Sequence, residues 1–296
     1  MKKIVAVFVA LSVFIVSVFA FGNKETGTVN LAVMQGPTGF SGVFLDDFVN
    51  VSVYPSPAEI VSKIVSGELD MAVVPANYAA AFHNRDYEIK AVAVVGEGML
   101  SVIGTDENAD TISIPGAAGT PAHMAALLYE EYAPDYSVTA PAQLAQMLIA
   151  GKRTLAIMPQ PFVSMVTAKN PEIRILSDVQ QKWKEKTGSS QYPMSILIVR
   201  ENFYRQYKDT VEAVKQSYRK SVEKVLSDPE AAAKEIEKKG IMKADLAVAA
   251  IPDCALVFKD LKKKTVRREL SVYYETLLRF VPDAIGGKMP ADTLYE

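Results

Sequence analysis

The chain has 296 residues, with 32 Lys and Arg against 34 Asp and Glu, a net charge of −2 and a pI near 5.9. That balance excludes a dedicated nucleic-acid binder, which carries a basic excess on one face, and 49% hydrophobic with 22% charged residues excludes a disordered chain. A lone cysteine, Cys254, excludes an intramolecular disulfide and a cysteine metal cluster, and two histidines, His83 and His123, disfavour most zinc enzymes.

Residues 1–20 carry the pattern of a secretory signal peptide. Lys2 and Lys3 precede an apolar run from Ile4 to Phe19, and Val18 and Ala20 supply small residues before a cleavage point after Ala20. Cleavage after Gly22, or retention as an uncleaved anchor, are the alternatives. No cysteine follows the run, so a lipid-anchored form is not expected. The remaining chain is expected to be exported to a periplasmic or other extracytoplasmic space.

The first expected lobe, residues 27–108, opens with an apolar strand over Val29–Met34 that runs into Gln35-Gly36-Pro37-Thr38-Gly39. Tyr54-Pro55-Ser56 leads to Pro57–Pro75, read as an amphipathic helix with Ile60, Ile64 and Val65 on one face, a stop at Gly67, and an apolar strand over Met71–Val74. Pro75-Ala76-Asn77-Tyr78 then starts another helix. Val92–Val95 and Leu100–Ile103 are further apolar runs, and Thr105–Asp110 is the polar link to a second lobe at 109–195.

The second lobe repeats the first. Pro141–Pro159 aligns with Pro57–Pro75 without a gap and shares the opening Pro-Ala, the glycine (Gly67, Gly151), an alanine (Ala72, Ala156) and the closing proline. Upstream, a strand at Thr111–Ile114 runs into Pro115-Gly116-Ala117-Ala118-Gly119-Thr120, as Val29–Met34 runs into its own glycine turn. Each half therefore reads as an α/β unit with a largely parallel sheet: two similar Rossmann-like lobes. Met194–Val199 is an apolar strand read as the return to the first lobe, to which residues 196–296 are assigned, and from Arg200 the chain is expected to be almost wholly helical. Asn202 and Asp228 are candidate caps there, and 282–290 is a terminal loop.

Ligands of such sheets bind beyond the C-terminal strand ends, where helix N-termini offer free N–H groups. Four loops qualify. In the first lobe, Gln35, Gly36, Thr38 and Gly39 form one and Asn77 belongs to the other, with Ser56 at a neighbouring strand end. In the second, Gly116, Ala118, Gly119 and Thr120 form a small-residue nest, and Gln160 and Phe162 follow the closing proline. Thr38, Ser56 and Asn77 are each read either as a helix cap or as a ligand contact, and Phe162 as core or ligand stack. His123, His83, Cys254 and Trp183 are read as packing or surface residues. The loops hold no Arg, Asp or Glu, which favours a neutral or modestly anionic, partly flat ligand. No catalytic constellation and no metal set can be assembled by spacing, and no cofactor is expected.

The Gln35–Gly39 loop, the GELDMAVVPAN end of the first repeat, Met158-Pro159-Gln160-Pro161-Phe162-Val163, Ala250-Ile251-Pro252 and the Ile285–Pro290 tail together resemble the substrate-binding proteins of ABC importers with the type II periplasmic-binding fold. The taurine, alkanesulfonate and thiamine-pyrimidine binders are the most similar subgroup. The resemblance implies two lobes joined by two crossings, hinge closure over a small-molecule ligand in an interlobe cleft, a monomer, and a permease and ATPase as partners. Two other functions remain open. An enzyme of the same fold acting on a small cofactor precursor would work without an export signal, and an exported sensor subunit would gate a protein partner.

Overall fold

The computed structural model describes residues 27–295. The expected signal peptide lies outside the described residues. The first sheet is built by β1 (Val29–Met34), α1 (Pro37–Ser41), β2 (Val49–Tyr54), α2 (Pro57–Ser66), β3 (Met71–Pro75), α3 (Ala76–Asn84) and β4 (Ile89–Glu97). The second is built by β5 (Leu100–Gly104), β6 (Thr111–Ser113), α4 (Thr120–Leu128), β7 (Ala133–Asp135), α5 (Pro141–Ile149), β8 (Leu155–Pro159), α6 (Phe162–Lys169), β9 (Arg174–Asp178) and α7 (Val179–Thr187). The chain then returns through β10 (Pro193–Arg200), α8 (Glu201–Gln206), α9 (Lys208–Ser227), α10 (Pro229–Lys238), α11 (Ala244–Ala250), β11 (Leu256–Asp260), α12 (Lys264–Phe280) and a 3-10 turn at Pro282–Ile285.

The strand orders are β11-β4-β10-β3-β1-β2 and β7-β6-β8-β5-β9. The duplication therefore reaches the sheet topology: β2-β1-β3-β10-β4 corresponds to β7-β6-β8-β5-β9. Each lobe takes its fourth strand from the segment that crosses to or from the other lobe, and that strand enters antiparallel. Among the named strands of the described residues, β1 with β2 and β3, and β6 with β7 and β8, pair in parallel. The sheets are thus mixed rather than largely parallel, because a crossing strand arrives from the opposite end. The chain changes sheets between Glu97 and Leu100, ahead of the polar stretch at 105–110 where the boundary was expected.

The repeated motifs fold alike. Ile60 and Ile64 of α2 are buried, as are Leu144 and Leu148 of α5, and Met71–Val74 and Leu155–Met158 are buried on both faces. Gly67 and Gly151 take the left-handed conformation that stops a helix, at φ 82° and 68°. Val65 departs from the expected face and is exposed. In the returning segment, Asp228 caps α10 by accepting from Ala231 N at 3.0 Å. Asn202 lies inside α8 rather than capping it. β11 is a strand where only helix was expected; its pairing with β4 joins residues some 160 positions apart, and Lys259 reinforces it by an ion pair with the buried Glu97 at 2.6 Å.

One apolar cluster runs through both lobes, from Ile60 and Val74 through Leu100 to Met124 and Trp183, then to Tyr273 and Tyr274 on α12. Trp183 is fully buried, contrary to the surface position expected from its lysine-rich setting, because α7 turns its Lys residues outward. Its indole N–H donates to Gln191 O, and its ring lies 5.6 Å from Tyr192 and 5.9 Å from Tyr273. Consecutive residues of α12 thus reach both lobes, since the Tyr274 hydroxyl donates to Ala76 O at 2.9 Å. At the first crossing no side chain fits at Gly98: a Cβ would stand 1.8 Å from Gln180 Oε1 and 2.5 Å from the Tyr192 ring.

Candidate functional site

The four expected loops do not share one site; they separate into two pairs. In the first pair, β1–α1 meets β8–α6 across the lobes. Gly36 sits at φ 89°, and a Cβ there would lie 3.6 Å from Pro161 Cδ. The polar groups of this pair are occupied locally. Thr38 is buried; its hydroxyl donates to Met34 O and accepts from Met34 N, both at 2.9 Å. The Gln160 carbonyl accepts from Ser164 N at 3.2 Å and from Ser164 Oγ at 3.0 Å, which caps the first turn of α6. Gly39 packs against Met34 O and Ile241, and Phe162 against the core of the second lobe. Gln35 is exposed beside them.

The second pair, β3–α3 and β6–α4, lines a cavity of about 530 Å³ between the lobes. Its walls include Asn77, Tyr78 and Phe82 of α3, Ala117 and Ala118 ahead of α4, His123 of α4, and the segment from Phe280, the last residue of α12, to Ala284. Of the residues singled out in the sequence, Asn77 and Ala118 stand here. Gly116 shapes the nest from behind, at φ 80° with its N–H on Val138 O. Gly119 is the N-cap of α4 and Thr120 is buried under it. Ser56 does not line the cavity; its hydroxyl donates to Glu59 Oε1 at 3.3 Å instead of capping α2.

Neither α3 nor α4, which belong to opposite lobes, has a side-chain cap at its N-terminus. Asn77 is not the cap its position suggested, because α3 begins one residue earlier. Its amide N–H donates to Ala284 O at 3.3 Å, which orients the group, and its Oδ1 is buried with no hydrogen-bond partner. His123 is buried too, and its Nδ1 also has none. Burial pulls the imidazole down to about 4, so the ring is neutral at physiological pH. Burial pushes the Tyr273 phenol well up, and the Thr120 hydroxyl draws it partly back.

His123 was not singled out as a site residue. A histidine one turn into an alanine-rich helix is placed on a cavity only when the opposite lobe and the Phe280–Ala284 segment close the third side. The charge of the rim was also missed: Arg85 and Asp283 line the cavity from segments outside the expected loops, and Lys186 stands 5.7 Å from the Phe280 ring at its edge. Among the described residues there is no group of three potential metal ligands, and no helix is long and apolar enough to cross a membrane. Cys254 is buried, with its thiol pushed up to about 12 by burial.

Solved structures share this architecture. An ABC transporter protein from Parabacteroides distasonis superposes with a TM-score of 0.78 at 19% identity, over 91% of this chain and 98% of its own. The ligand-binding component of an ABC-type import system from Staphylococcus aureus gives 0.69 at 15% identity, over 91% and 96%. The periplasmic aliphatic sulphonate binding protein of Escherichia coli gives 0.66 at 11%, over 89% and 92%. These likenesses establish the two-lobed periplasmic-binding fold. No protein of curated function matches the chain in sequence. A family profile described as menaquinone biosynthesis matches residues 44–277, from the loop after α1 to the last turns of α12, and the chain belongs to that family.

Proposed function

We propose that the protein is the solute-binding component of an ABC importer, which captures a small organic molecule between its lobes and hands it to a membrane permease. One observation carries this reading: a cavity of about 530 Å³, the size of a small-molecule site, is walled by both lobes, by Asn77 and Tyr78 in the first turn of α3 and by Ala117, Ala118 and His123 around the start of α4. The apolar N-terminal segment, read as an export signal, adds to it. Native mass spectrometry of protein purified gently from the periplasm tests it. A stoichiometric adduct released intact on denaturation is expected. A clean apo mass, followed by no thermal shift with sulfonates, pyrimidines, flavins or carboxylates, would count against it. A ligand at 100 times its Kd should stabilise by about 2.7 kcal/mol.

The family match supports a second reading, an enzyme acting on a precursor of menaquinone type. His123 lines the cavity, but with its pKa pulled down to about 4 by burial it is a weak general base, so the family match alone carries this reading. Chemical change of a bound compound, followed by mass over hours, would put this reading first.

A further inference from the structure

The turn from β11 into α12 concentrates positive charge in a chain whose net charge is −2. Lys262, Lys263, Lys264, Arg267 and Arg268 fall within seven residues there. The carboxylates nearby are already engaged: Glu212 pairs with Lys262 and Lys215, Asp260 with Lys215, and Glu97 and Glu269 with Lys259. Lys263, Lys264 and Arg268 are exposed and have no ion pair among the described residues. Lys263 is the N-cap of α12, and Lys264 and Arg268 follow one turn apart on its exposed side. A helix N-terminus repels cations, and like charges four residues apart repel each other. The arrangement therefore costs α12 stability, and the fold itself does not account for it.

The place of the turn in the fold says what it meets. β11 runs from Leu256 beside Gly96 to Asp260 beside Ala93, away from the strand ends that border the cavity. α12 then returns about 25 Å to Phe280 at the cavity mouth. β1 enters the sheet at the same far end, where Asn30, Asp70, Arg200 and Ile89 form one row. The 26 residues ahead of Gly27, with their apolar run from Ile4 to Phe19, thus join the lobe at the end that carries the basic turn. None of the large exposed apolar side chains among the described residues lies in the turn. It offers charge without an apolar anchor, which suits the fluid headgroup layer of a bilayer better than a shaped protein surface.

We propose that Lys263, Lys264 and Arg268 dock the protein on an anionic lipid surface, with the interlobe cavity held off the bilayer. The inference uses no part of the cavity, so it stands or falls apart from the solute-binding reading. Lysine acylation read by mass spectrometry tests it on the full chain as isolated from the cell envelope, with phosphatidylcholine vesicles that contain about 30% phosphatidylglycerol or none. Lys263 and Lys264 should react several-fold more slowly on the anionic vesicles at about 0.05 M salt, and at the free rate on neutral vesicles or at about 0.5 M salt. Lys152 on the second lobe and Lys234 on α10, both exposed, should not change. In Lys264→Gln/Arg268→Gln, Lys263 remains as the reporter. Its protection should need at least tenfold more anionic lipid, because each cation near such a surface is worth about fivefold in partitioning. The variant removes repulsions only, so it should melt no lower than wild type. Equal acylation on both kinds of vesicle, equal slowing at Lys152 and Lys234, or unchanged Lys263 protection in the variant overturns the docking surface. Protection by soluble polyphosphate, at matched phosphate, as strong as by the vesicles assigns the turn to a free polyanion and overturns the lipid partner.

Discussion

The joints β3–α3 and β8–α6 close the two copies of the same repeat, yet they end in opposite states. Each has a proline, then a short polar amide within two residues: Asn77 in one, Gln160 in the other. Gln160 carries one more methylene and folds back onto Ser164, so its carbonyl is satisfied inside its own helix. Asn77 binds a carbonyl 207 positions away, and its own oxygen is left without a partner. The glycine loops divide in the same way: Thr38 is closed on Met34, while the nest before α4 opens onto the cavity. One diagonal of the four loops forms a clasp, and the other borders the interlobe cavity. What separates them is whether a polar group finds its partner within four residues.

Variants can break this contrast, and the largest effect is expected beneath the open diagonal. Trp183→Ala should cost about 3–5 kcal/mol in urea unfolding, since the buried indole holds Tyr192 and Tyr273 below Thr120. A loss under about 1 kcal/mol would show that the shared core does not depend on it.

Next comes the pH dependence from His123. Its folded pKa, about 4, lies below the ordinary 6.5, with burial as the cause and no charge effect from Arg85 or Asp283. As pH falls below 6.5 the unfolded chain takes up a proton that the folded chain refuses, so stability declines until about pH 4. The fall is roughly 3 kcal/mol. Paired carboxylates such as Asp260 and Glu212 also lose stability in acid, so the measurement is the difference between wild type and His123→Gln, in which this component should vanish. A difference that stays flat between pH 7 and 4 refutes it.

On the clasp, Gly36→Ala should cost about 1–3 kcal/mol, because φ 89° with ψ −143° is a glycine region. A thermal melt unchanged from wild type would contradict that. Gln160→Ala should be mildest, about 1 kcal/mol for a lost cap, with unchanged affinity for any adduct found; weakened binding would mean that the clasp also touches the ligand.

Much of this framework was legible in the sequence. The framing prolines and glycines at 57, 67, 75 and 141, 151, 159 mark both repeats, and an uninterrupted apolar run marks β10, because these signals are local. β11 was not legible: Leu-Val-Phe-Lys-Asp becomes a strand only through β4, far away in sequence. The site was half legible for the same reason. Strand-end loops can be located by pattern, which brought Asn77 and Ala118 into view. Whether Thr38 or Gln160 is satisfied depends on rotamers, and whether His123 faces a cavity depends on Phe280–Ala284.

The place of β10 between β3 and β4 has a consequence for the chain before it is whole. Until residue 200 has been made, the two halves of the first sheet have no strand between them, and both facing edges are unpaired. The half of the molecule that is synthesised first is therefore among the last to acquire its native shape, and the long closure makes that step slow. A fragment ending at Tyr192 should melt without a cooperative transition, whereas a sharp transition would show that the first lobe matures without its borrowed strand.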